Sequence, residues 1–109
     1  NLCKQNDLLG KPKKHNYKNF ETCSPTNLRY IFQSLLICHY INDNNLNNLD
    51  IIEIGGGYGG LSFFLHNIAQ LLNIKINSYV IFDLFYPSVL QKKYLELQCI
   101  NVETYQINN

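Results

Sequence analysis

Methionine is missing from the whole chain, position 1 included. The sequence is therefore expected either to have lost its start by processing or to be an excerpt of a longer protein. The cysteines form no C-x-x-C pair: Cys3, Cys23, Cys38 and Cys99 stand well apart, which removes the usual zinc and thioredoxin-type spacings. Cys23, Cys38 and Cys99 fall in or near apolar segments, and reduced, buried thiols of a cytosolic protein are the expected state. There is no G-K-[ST] of a Walker site and no His/Cys/Asp cluster at ligand spacing, so neither that nucleotide site nor a metal is expected. None of the sixteen asparagines opens an N-x-[ST] sequon, and five of them crowd into Asn42 to Asn48. With the Ile, Lys and Tyr usage, this reads as AT-rich coding rather than chemistry.

Long hydrophobic runs are also scarce. The start is basic and polar through Phe20, with no apolar h-region, so no signal peptide is read there. Residues 54–74 carry no charge, but five glycines with Ser62, His66, Asn67 and Gln70 disqualify them as a bilayer span. No membrane partner is expected, and the location is expected to be cytoplasmic. An excess of one charge is lacking too, the formal net charge being +1. Residues 1–20 hold five lysines against Asp7 alone, leaving four basic and seven acidic residues to the remainder. That head is too weakly basic to argue for nucleic acid.

What is present is globular: 46% apolar and 13% aromatic residues over the length of one modest domain. Residues 1–23, with Gly10, Pro12 and no sustained period, are expected to form an irregular basic arm ahead of a domain at 24–109. Ser24 as N-cap and Pro25 at the first helical position open a helix, with Leu28, Ile31, Phe32, Leu35, Leu36 and His39 on its buried face. Asp50-Ile51-Ile52-Glu53-Ile54 reads as a buried strand stopped by glycines. From Leu61 the period becomes helical, with Leu61, Phe64, Leu65, Ile68 and Leu72 on one face and Asn73 at the end. Ile76 to Phe82 is a second strand, apolar enough at 79–82 to be covered on both faces, with Asp83 just past it. Pro87 and Ser88 start another helix with Val89, Leu90, Tyr94 and Leu97 inward, and 101–107 makes a third strand. The order, helix then β-α-β-α-β, predicts an α/β fold: part of a Rossmann-like, doubly wound parallel sheet, truncated where a fourth strand would follow.

Glu53-Ile54-Gly55-Gly56-Gly57-Tyr58-Gly59-Gly60 carries the chemistry. Its glycines allow a sharp turn, let a ligand approach with no Cβ in the way, and aim helix-terminal amides at a polar group. Gly55, Gly57 and Gly60 satisfy the dinucleotide pattern G-x-G-x-x-G, while Gly55, Gly57 and Gly59 satisfy the G-x-G-x-G of S-adenosylmethionine sites. Glu53, on the strand, tilts the balance. A carboxylate there suits a cationic aminium better than a pyrophosphate, although it could also simply brace the loop. Asp83 fits the acid that accepts ribose hydroxyls in either class, or a helix cap. The lone histidines His15, His39 and His66 are read as packed or solvated, and Arg29 and Tyr30 as a surface cation and a core-edge ring.

The stretch Glu53 to Leu61, then Tyr79-Val80-Ile81-Phe82-Asp83-Leu84 and Leu90-Gln91-Lys92-Lys93-Tyr94-Leu95, resembles the sugar O-methyltransferase family of class I S-adenosylmethionine-dependent methyltransferases. The resemblance spans roughly residues 24–107. It implies methyl transfer from S-adenosylmethionine to a saccharide hydroxyl, with Glu53, Gly55, Gly57 and Gly59 around the methionine half and Asp83 on the ribose. The family keeps its adenine contacts and most substrate and catalytic groups beyond the third strand, so the parent enzyme is expected to be active and the 109 residues alone inactive. Pro87 falls later after Asp83 than the family pattern has it. The rival expectations are a nicotinamide or flavin oxidoreductase using the same turn, and a non-catalytic remnant or interaction module.

Overall fold

A computed structural model describes residues 1–107. Asn108 and Asn109, the end of the expected domain, lie outside the described residues. The arm is more ordered than its composition suggests. Leu2–Asp7 is a helix, α1, capped by the Asn1 side chain, which accepts from the backbone N–H groups of Cys3 and Lys4. His15–Asn16 (β1) and Thr22–Cys23 (β2) form a short antiparallel ladder. Long-range polar contacts supply the order that local pattern lacks: Asn6 donates to Asn27 Oδ1, and buried Asp7 accepts from both the backbone N–H and the hydroxyl of Ser24.

Ser24 and Pro25 open the long helix α2, Pro25–Asp43, as expected, though the Ser24 hydroxyl serves Asp7 rather than the helix end. The buried face differs from the expected one. Asn27, Tyr30, Ser34, Cys38 and Ile41 are buried and Leu28 and Ile31 are half-buried, while Phe32, Leu35, Leu36 and His39 lie open. Apolar residues surround this helix, so periodicity alone gives no unique inward direction. The small side chains of Ser34 and Cys38 face in, and Tyr30 stacks on Phe64 of the next helix.

β3 (Leu49–Ile54), α3 (Gly60–Leu71), β4 (Ile76–Asp83), α4 (Phe85–Leu97) and β5 (Glu103–Gln106) then alternate as read from the sequence. The strands form one parallel sheet in the order β3-β4-β5, with Glu53 beside Ile81 and Val80 beside Glu103. This is a mixed α/β architecture compatible with part of a Rossmann-like fold. α3 and α4 cover the same face: His66 of α3 lies on the Tyr79 ring, and Phe63 meets Tyr94 of α4 at 6.3 Å between centroids. The expectation that β4 is covered on both faces is therefore corrected. Tyr79 and Ile81 are buried, but Val80 and Phe82 on the other face are only half-buried, and beside them on β3 Ile52 and Ile54 lie in the open.

Two further readings need correction. α4 begins at Phe85, with Pro87 inside its first turn, where no backbone donor is needed. Its inward residues are Ser88, Gln91, Tyr94 and Leu95, whereas Val89, Leu90 and Leu97 are exposed. Among the cysteines, Cys3, Cys23 and Cys38 are buried and Cys99 is exposed; all four are free. Cys99 follows α4 with φ +58°, at the point where the chain leaves the helix. Burial, with Cys23 and acidic neighbours adding to it, pushes the Cys3 thiol up to about 12.

Candidate functional site at the glycine turn

β3 hands over to the glycine turn at Gly55, whose N–H still donates to Phe82 O across to β4. The turn closes when Gly59 N–H donates to Gly56 O, and α3 begins as Phe63 N–H reaches Gly59 O. Gly55, Gly57 and Gly59 have φ values of +73°, +56° and +99°. Gly55 is left-handed by its φ, and nothing lies within 4 Å of the place where a Cβ on it would stand, so the space above it is open. Gly60 answers a different need. A Cβ there would come within 2.4 Å of the Tyr30 ring, so this glycine lets α2 lie close against the start of α3. The turn thus has an exposed wall at Gly55 and Gly57 and a buried one at Gly56, Gly59 and Gly60.

The two acids stand at the carboxyl ends of adjacent strands. Glu53 is half-buried and accepts a 2.7 Å hydrogen bond from the Tyr79 hydroxyl. Burial raises the Glu53 carboxyl above its ordinary range, the Tyr79 bond offsets part of this, and the neighbouring Asp83 charge adds to the rise. The last residue of β4, Asp83, accepts from Leu84 N–H on Oδ1 and from Gln91 Nε2 on Oδ2, each at 2.8 Å. Among the described residues no Lys, Arg or His pairs with either acid; the ion pair found is His39 with Asp43, far along α2. The bond from Leu84 N–H does not make Asp83 a helix cap, because Leu84 itself is the N-cap of α4.

Gln91 was missed as a site residue. It is fully buried on α4, and its Nε2 also donates to Gly57 O at 2.9 Å, so one amide spans the glycine turn and Asp83. Its Oε1 is buried without a partner, a cost of about 1–3 kcal/mol. A signal was present: Ser88, Gln91 and Tyr94 recur every three residues, so a polar amide shares the stripe of the inward-facing tyrosine.

Tyr58, inside the turn, packs edge-on against Tyr30 and Tyr94, and its hydroxyl accepts from Asn6. Tyr94 donates to the same Asn6. Beside them a cavity of about 310 Å³ is lined by residues including Asp7, Thr26, Leu90 and Tyr94. The three histidines stay outside the acid pair. His15 and His39 are exposed. The ring of His66 is held by Ser62 O at 2.7 Å, and burial lowers its pKa. The Arg29 guanidinium lies 5.1 Å from the centre of the Tyr30 ring. Among the described residues no group of three or more His, Cys, Asp or Glu could hold a metal, and no helix is long and apolar enough to cross a membrane.

No protein family, curated protein or solved structure matches the chain. The glycine turn and its two acids are therefore the ground for a functional assignment.

Proposed function

We propose that the chain carries the cofactor-binding part of a class I S-adenosylmethionine-dependent O-methyltransferase, built on a Rossmann-like sheet and acting on a saccharide hydroxyl. One observation carries the reading: Glu53 and Asp83 flank the glycine turn, and among the described residues no basic residue pairs with either. Two uncompensated carboxylates make a negative mouth, which repels a pyrophosphate and attracts a cation. S-adenosylmethionine brings positive charge on its aminium and its sulfonium. Glu53 weighs against a nicotinamide or flavin dinucleotide in this turn, whereas Asp83 suits the ribose of either class.

The residues fit such a group. Open space above Gly55 admits a ligand against the backbone. Asp83 keeps lone pairs beyond the two bonds it accepts, enough for two ribose hydroxyls. Glu53 has one oxygen on Tyr79 and retains acceptor capacity for an aminium. When bound, the cofactor supplies an electrophilic methyl group for in-line displacement by the acceptor. The part of these residues is to hold and orient it, and proton removal from the acceptor is assigned to none of them.

Calorimetry on the full protein tests the reading. Binding of S-adenosylhomocysteine with no response to NADH is expected, and the reverse result would replace the methyltransferase with an oxidoreductase.

A further inference from the structure

We propose that Gln91 is the positioning residue of this site, setting the Asp83 carboxylate relative to the glycine turn. The proposal rests on the cofactor reading above and adds to it the residue on which the ribose-binding geometry depends. Both hydrogens of the Gln91 amide are committed, one to Gly57 O at 2.9 Å and one to Asp83 Oδ2 at 2.8 Å. Two walls of the site that belong to different strand ends are thereby tied through a single nitrogen. The carboxylate has no rotational freedom left: Leu84 N–H holds its other oxygen at 2.8 Å. One acceptor position then remains on each oxygen, matching the two donors of a vicinal diol.

The turn is itself shaped around this amide. A Cβ on Gly56 would come to 2.7 Å from Ile81 and 3.2 Å from Gln91 Nε2, so the glycine leaves the space in which the bridge forms. Packing alone gives no reason for an amide here. The side chain is fully buried, and its Oε1 has no partner, so a hydrocarbon of similar shape would fill the place without an orphaned oxygen. A polar group kept at a structural disadvantage beside the acid of a binding site marks a functional constraint.

Two variants of the full protein separate positioning from packing, each titrated with S-adenosylhomocysteine and melted without it. Gln91→Leu is expected to weaken binding by about tenfold or more, with a melting temperature equal to or above that of the wild type. Gln91→Glu keeps the shape but places a second carboxyl against Asp83, where the two must share a proton. Its affinity is expected to fall as pH rises and the shared proton is lost, a steeper slope than that of the wild type, in which Glu53 is the carboxyl that interacts with Asp83. Should Gln91→Leu fail to fold, the pH slope of Gln91→Glu decides alone. Wild-type binding with both variants unchanged in affinity and slope overturns the role of Gln91 and leaves the cofactor reading standing. No binding of S-adenosylhomocysteine by the wild type overturns both.

Discussion

Ile81 and Ile54 sit on neighbouring strands of one sheet, yet Ile81 is fully buried and Ile54 is 78% exposed. Their side chains point to opposite faces, because parallel pairing sets Glu53 beside Ile81 and Ile54 beside Phe82. The strand order β3-β4-β5 advances in one direction, and right-handed crossovers then place both α3 and α4 on the same side. The covered face holds Glu53, Tyr79 and Ile81 and ends in the acid pair. The other presents Ile52, Ile54 and Tyr105 to the surroundings. An apolar side chain is thus no guide to burial here; the direction of the crossovers decides which face becomes core.

The largest expected effect contrasts the two faces directly. Ile81→Ala should lower unfolding free energy by about 2–5 kcal/mol, against about 0.5 kcal/mol or less for Ile54→Ala, measured by urea denaturation. Equal losses would mean that the second face is covered in solution. Next comes the polar end of the covered face. Asp83→Ala should weaken S-adenosylhomocysteine binding at least about tenfold, since each bond to an ionised acceptor contributes about 1.5–3 kcal/mol. The ligand-free melt should fall too, because the buried Gln91 amide loses an acceptor, so affinity is the deciding readout, and unchanged affinity would make Asp83 a structural residue.

The smallest effect is the pH dependence of the helix layer. Burial holds His66 below its ordinary value of 6.5, so the unfolded chain takes up the proton first. Its contribution to stability is complete above pH 6.5 and is lost as pH falls from there through the depressed folded value. Glu53 works in the opposite sense. Its raised carboxyl favours the protonated folded state, so its contribution is lost as pH rises from the ordinary value of 4.5 through the raised one. Denaturant melts of His66→Gln should show a flatter profile just below pH 6.5 than the wild type. An identical profile would place the acid sensitivity elsewhere.

Sequence pattern located the elements around the site closely. Ser24 and Pro25 mark the start of α2, the glycines end β3, and Asp83, expected just past β4, is its last residue. These signals are local, being carried by caps, turns and β-branched runs. The inward faces of α2 and α4 were not legible, because Phe32, Leu35, Leu90 and Leu97 are as apolar as the residues that point in. Nor was the ordered arm, whose placement depends on Asn6, Asp7 and their partners Asn27, Ser24 and Tyr58, all distant in the chain. Gln91 escaped notice for a related reason: its partners Gly57 and Asp83 are set by the fold rather than by spacing.

Among the described residues, asparagine and glycine take all the positive-φ positions except Lys11 and Cys99. Asn19, Asn45, Asn48 and Asn73 all take positive φ, at +59°, +52°, +53° and +56°. Asparagine tolerates that conformation better than most residues, and its codons are rich in A and T whereas those of glycine begin with two Gs. In coding of AT-rich character, turns needing only the backbone angle can pass to asparagine, whereas a glycine is required where a Cβ would collide, as at Gly56 and Gly60. Five of the six glycines lie between positions 55 and 60. Gly55 and Gly10, at φ +73° and +76°, instead have empty space beside them, so no packing contact calls for glycine at either. At the end of β3 that space leaves the wall of the turn open, where the proposed cofactor would lie.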